Sequence, residues 1–224
     1  MPVTALCYQA TQKKEDLWIA IAGAIADKFV LPEYSEFKKQ YPELAIDSDD
    51  AFDILYRSDI GKISRILGFA LKDRTTNVIN MLRFLLKVKT PYDVLEENSK
   101  NHSMHSRFAQ IDKTYKKFLN KAKESVGKDK IIFFQYGGDL SISSELSNEL
   151  SYAFPGRVVI VAYITGVKAN ISIRGKNIKE KVLKSIAGLE DSSGGGHKDA
   201  VGAKIRVEDL EKFKKKISSL VENE

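Results

Sequence analysis

Apolar residues recur at helical spacing through the first half of the chain and at strand spacing through much of the second. From Leu17 to Phe29, small apolar side chains surround Gly23 on every side, the pattern of a helix or tight helical turn packed in a domain interior. Leu31 to Asp50 is polar and punctuated by Pro32 and Pro42, which predicts a loop or a short irregular excursion. Helical stripes resume with Ile60, Ile63, Leu67 and Leu71, and again with Val78, Leu82, Leu85 and Leu86, before Pro91 opens a short turn. Ser106 to Lys123 carries Phe108, Ile111, Tyr115 and Phe118 on one face and lysines on the other, so it reads as a long amphipathic connector that Gly127 terminates.

After residue 124 the period changes. Lys130–Tyr136, Arg157–Thr165, Ala169–Gly175 and Ala200–Val207 are β-branched strand patterns, interleaved with helices at Ile142–Phe154, Ile178–Ala187 and Glu208–Val221. The expected class is α/β. A helical region over 1–124 precedes a mixed-sheet α/β domain over 125–224.

Composition adds little to this picture except sign. With 43% hydrophobic and 29% charged residues the chain is ordinary for a globular protein, and 36 Lys and Arg against 30 Asp and Glu leave a net charge of +6. That balance suits a polyanionic partner, and equally a surface kept basic for solubility. The single cysteine, Cys7, excludes an internal disulfide and points to a reducing compartment, with cytoplasm the expected location. The apolar run Leu17–Ala26 is preceded by Glu15 and Asp16, where a signal peptide carries positive charge, and it is about half the ~20 residues that span a bilayer. No membrane association is expected.

The most informative segment is Ser192-Ser193-Gly194-Gly195-Gly196-His197-Lys198-Asp199-Ala200-Val201-Gly202, read as a loop between a helix and a strand. Three successive glycines are costly to order, and are tolerated mainly where the backbone takes positive φ or approaches something closely. Their unobstructed N–H groups can form a concave nest for a phosphate oxygen, with the imidazole of His197 and the charge of Lys198 beside it. A flexible turn is the plainer alternative. Arg174, at the end of the strand Ile171-Ser172-Ile173-Arg174, suits either a ligand contact or a surface ion pair.

Gly194-Gly195-Gly196-His197 followed by Ala200 and Gly202 resembles the GGGHxxAxG signature of the DHH-associated domain in RecJ-like DHH phosphoesterases. Ile171–Arg174 resembles the same domain's short strand ending in a substrate-facing arginine. The run Ala20–Asp27 is similar to the last motif of the DHH catalytic domain, and Ser58–Lys62 with the helices after it to the connecting region of archaeal members. The resemblance implies that 1–124 is a remnant of a DHH domain plus a helical connector. It further implies that Arg174, Gly194, Gly195, Gly196, His197 and Lys198 hold the phosphate backbone of a single strand, and that Asp27 is a relic or partial metal ligand. A partial Rossmann-like domain at the amino end would leave strand edges in need of cover.

Two-metal hydrolysis needs several carboxylates and histidines around two cations. The family's DHH triplet and first aspartate motifs are not in this sequence, and His102 and His105 lie in Asn101-His102-Ser103-Met104-His105 instead. Asp47-Ser48-Asp49-Asp50 lacks the glycine and terminal glutamate of a calcium loop and reads as a solvated helix start. The expectation is a non-catalytic single-stranded DNA-binding module, with exposed aromatics adding base stacking and no cofactor needed for binding. Manganese or magnesium enters only if another chain completes a nuclease or oligonucleotide phosphodiesterase site. The resemblance to archaeal RecJ-like proteins implies the GINS complex and the replicative helicase as partners. RNA is an alternative ligand, because alanyl-tRNA synthetases carry a related C-terminal domain.

Overall fold

The structure, a computed structural model, describes residues 1–222. They form two compact units that meet in sequence between Asp112 and Lys113.

The first unit is helical: α1 (Val3–Thr11), α2 (Leu17–Ala26), α3 (Tyr34–Gln40), α4 (Ala51–Arg57), α5 (Asp59–Ala70), α6 (Thr75–Leu85), α7 (Tyr92–Leu95) and the first half of α8 (His102–Glu124). The wholly apolar α2 is buried on nearly all sides, with Trp18 only 2% exposed, and it packs against α1, α4 and α5. Ser64 on α5 donates to the Ala22 carbonyl at 2.7 Å, which satisfies its hydroxyl inside that contact. No strand occurs among residues 1–112, so the amino end has no sheet edge to protect.

The stretch expected to be a loop contains α3. Tyr34 and Phe37, three positions apart, turn one face of that short helix into the core, and the Tyr34 hydroxyl donates to the Ile46 carbonyl at 2.9 Å. Its flanking prolines lie outside the helix, Pro32 before and Pro42 after, where neither breaks an internal hydrogen bond. The Asp47–Asp50 cluster is a helix start, as read: Asp50 Oδ1 accepts the Phe52 and Asp53 amides at 2.7 and 3.2 Å.

Between α4 and α5 the chain turns through Ser58, whose hydroxyl accepts the Gly61 amide at 3.1 Å and donates to the Ile54 carbonyl. Ser58 is 8% exposed, so both groups would lose a partner they cannot replace with water. Ser58→Ala is expected to destabilise the helical unit by about 1–2 kcal/mol, read from denaturant unfolding followed by the fluorescence of Trp18.

The second unit is a five-stranded sheet in the order β1-β2-β3-β5-β4, with β1 (Ile131–Gly137), β2 (Val158–Thr165), β3 (Lys168–Arg174), β4 (Ser193–His197) and β5 (Ala200–Arg206). The β1–β2 pair is parallel and crosses over through α9 (Ser143–Ala153), while the remaining pairs are antiparallel. Strand alternation sends Ile171 and Ile173 of β3, and Val201, Ala203 and Ile205 of β5, to one face. There they meet α10 (Lys179–Ile186) and α11 (Leu210–Glu222), whose Phe213 and Ile217 are fully buried. On the opposite face α9 covers β2 and part of β3.

The glycine run is not a loop. Ser193–His197 is an edge strand paired with β5, and only Lys198 and Asp199 remain as the turn. Glycine has poor strand propensity and no side chain to alternate, so the pairing is imposed by β5 rather than encoded in the run itself.

Candidate nucleic-acid interface

The register places the chemistry-bearing residues in rows across the uncovered part of the second face. Arg174 stands opposite Ala200, which pairs in turn with His197; Ser172 stands opposite Gly202 and Gly195; Asn170 stands opposite Lys204 and Ser193. Adjacent rows are two residues apart along each strand, roughly 6.6 Å.

The glycines divide by what an added Cβ would meet. At Gly196, φ is +143° and a Cβ would lie 2.4 Å from the Ala200 carbonyl oxygen, so glycine is demanded by the hairpin itself. At Gly194 a Cβ would press on the Ile186 side chain at 2.7 Å. At Gly195 it would meet nothing within 4 Å, and at Gly202 only the Gly195 carbonyl at 4.0 Å. These two opposed glycines form a bare floor that the fold does not itself require. Above them lies an open concavity of about 440 Å³, lined by Ser143, Asn170, Ser172, Ser193 and Lys204 besides the glycine backbone.

Its rim is held in place. The Arg174 guanidinium donates from Nε to Asn148 Oδ1 at 2.7 Å and from Nη2 to Ser144 Oγ at 3.0 Å, so α9 orients it. Ser143 and Ser172 hydroxyls are 3.0 Å apart. The turn is fastened from outside: Asp199 Oδ1 accepts the Asn177 amide at 2.7 Å, the Asp199 carbonyl accepts the Gly175 amide at 3.1 Å, and the Lys198 carbonyl accepts the Lys179 amide at 3.2 Å. His197 and Lys198 remain exposed. β4 is also an edge, and in an antiparallel ladder alternate residues turn their N–H groups away from the partner strand. The expected nest is therefore replaced by an open sheet floor with outward amides along one side.

Arg174, the three glycines, His197 and Lys198 thus share one end of one sheet. Gly202, which the signature contains without an assigned role, joins them, as do Lys204, Asn170 and Ser172, none of which the sequence marks as a site residue. Alternation within each strand puts 170, 172 and 174 on one face and 200, 202 and 204 on another. Only the β3–β5 pairing shows that the two faces are the same. No aromatic ring lines the concavity among the described residues, so base stacking has no platform there.

Asp27 belongs to the helical unit and is exposed at the carboxyl end of α2. Among the described residues no three His, Cys, Asp or Glu side chains converge as a metal site. His102 Nδ1 is 2.6 Å from Glu97 Oε1, and His105 Nε2 donates to the Val94 carbonyl at 2.9 Å. Asp27 does not by itself fit a two-metal centre. No described helix is long and apolar enough to cross a membrane.

Residues 116–223 match the DHHA1 domain. No curated protein matches the chain. Among solved structures, RecJ of Thermus thermophilus in complex with Mg2+ is 16% identical over 97% of this chain and 36% of that one, with a TM-score of 0.64. The exonuclease RecJ bound to manganese is 18% identical over 92% of this chain and 54% of its own, with a TM-score of 0.61. The DHH domain of a protein described as a member of a family of ribosomal proteins is 13% identical over 93% of this chain and 50% of its own, with a TM-score of 0.53. The chain therefore spans about a third to a half of the length of these structures. Residues 116–223 are thus similar to the DHHA1 domain, and the chain as a whole has the mixed α/β fold of the RecJ structures.

Proposed function

We propose that this chain is a non-catalytic module that binds single-stranded DNA through its sugar–phosphate backbone. The observation that carries the reading is the bare Gly195–Gly202 floor, which the fold leaves open and which the Arg174–His197 row flanks. A phosphate can approach such a backbone closely, take hydrogen bonds from the outward amides of the β4 edge, and be neutralised by the neighbouring Arg174 and His197. With no ring in the concavity, affinity comes from phosphate contacts and counterion release, so it is tolerant of sequence and strongly salt-dependent. Arg174 and His197 anchor one end, Gly194 and Gly196 shape the hairpin, and Lys198 adds charge at the turn.

Fluorescence anisotropy with a labelled single strand across a salt series tests this. Log affinity is expected to fall linearly with log salt. His197→Ala and Arg174→Ala are each expected to weaken binding by about 1–3 kcal/mol, with little change in melting temperature for the exposed His197 and a modest fall for Arg174, which also gives up its bonds to Asn148 and Ser144. Full affinity in the double variant removes the site assignment. Competition between DNA and RNA strands decides the sugar.

The cellular setting suggested by the resemblance to archaeal RecJ-like proteins is cytoplasmic, with the GINS complex at the replicative helicase. Co-purification of the two from a mixed preparation is the expected result. The RecJ fold and Asp27 support a second reading, in which another polypeptide completes a manganese-dependent exonuclease or oligonucleotide phosphodiesterase. Manganese-dependent cleavage by the isolated chain that disappears in Asp27→Ala would overturn the non-catalytic reading.

A further inference from the structure

The concavity does not sit on the Arg174–His197 row. It is centred two residues further along the sheet, over the glycine pair, and its far wall is the row of Asn170, Lys204 and Ser193. From Arg174 to Asn170 is four residues of β3, roughly 13 Å, which is three rows at a spacing of ~6.6 Å. That spacing is comparable to the separation of successive phosphates in an extended single strand. Cation rows therefore stand at both ends of a glycine row, on one continuous ladder.

The positive track stops at the next row. Lys168 pairs there with Arg206, but Arg206 is already engaged by Asp191 at 2.7 Å, Glu190 at 3.1 Å and Glu208 at 3.4 Å. The Arg206 guanidinium in turn holds the Asp191 carboxyl below its ordinary range, so it stays ionised. With Lys204 also within reach of Asp191, three cations face three carboxylates, so that end offers a further phosphate no net positive charge.

We propose that Lys204, with the Asn170 amide and Ser193, is a second phosphate subsite, so that the groove holds three consecutive phosphates of a single-stranded oligonucleotide. Arg174 and His197 take one phosphate, the Gly195–Gly202 floor the next, and Lys204 the third. This assignment rests on the single-strand reading given above. It adds a length requirement and a residue that the glycine–histidine motif does not contain. Lys204 is half-buried on β5, with its neighbours Ala203 and Ile205 turned into the core, so its backbone is fixed in register with Arg174.

The test is anisotropy competition with oligothymidylates from dinucleotide to hexanucleotide, on the parent protein and on Lys204→Gln. Affinity in the parent is expected to rise steeply up to the tetranucleotide, which carries three internucleotide phosphates, and to level off beyond it. Lys204→Gln is expected to lose roughly tenfold on the tetranucleotide and longer strands. Its salt slope should be shallower by about 0.7, the loss of one phosphate contact to a single strand. Dinucleotide affinity and melting temperature should be unchanged.

Equal loss at every length, or no loss at any, overturns the second subsite while the single-strand reading stands. A parent protein that binds no strand at all overturns both.

Discussion

Gly202→Val is expected to remove single-strand binding while leaving the sheet at least as stable as before. A Cβ at this position meets no atom of the protein within 4 Å except the Gly195 carbonyl at 4.0 Å, and β-branched residues are better strand formers than glycine. Folding therefore has no reason to resist the change. The ligand does, because an isopropyl group would occupy the part of the face where a phosphate can reach the backbone, in the middle row between the two cation rows. The expected loss is on the order of 100-fold, about 2.7 kcal/mol, with melting temperature constant or raised. Gly202→Ala should fall between parent and valine variant. Parent-like affinity in Gly202→Val would mean that strands bind elsewhere.

The second large effect is on stability and lies in the helical unit. Gly61 sits in the first turn of α5, directly beneath the last carbonyls of α4, and a Cβ there would lie 2.2 Å from the Leu55 oxygen and 2.3 Å from that of Ile54. Both contacts are with backbone, so no rotamer change relieves them; α4 and α5 must separate. That separation would disturb the Ser58 cap and the contacts of both helices with α2. Gly61→Ala is expected to cost about 3 kcal/mol or more, although alanine is the better helix former. Because Trp18 is the only tryptophan and is buried in α2, its fluorescence reports on this unit alone. A loss below about 1 kcal/mol would show that the α4–α5 corner opens cheaply.

The periodic parts of the chain were legible from sequence. The strands now called β1, β2, β3 and β5, and helices α2, α5, α9 and α10, announce themselves by β-branched alternation or by apolar stripes. What escaped was decided elsewhere in the molecule. α3 is short, flanked by prolines and mostly polar, and it forms because Tyr34 and Phe37 have a core to enter. β4 carries no pattern because three of its five residues have no side chain; its conformation is dictated by β5. For the same reason the glycine–histidine motif was recognisable, yet its geometry was not. A run of glycines permits a nest, a turn or a strand equally, and the neighbouring strand selects among them. Lys204 and Gly202 could be placed on a face but not beside Arg174, since adjacency across strands is a tertiary fact.

The external fastening of the Lys198–Asp199 turn has a consequence for how a strand would be captured. Three hydrogen bonds tie those two residues to the segment 175–179, so the imidazole next to them is carried on a hairpin with little freedom left to lose. Association then pays little ordering cost on the protein side. Capture should resemble docking onto a preformed rail, and the entropy lost should be chiefly that of the flexible nucleic acid.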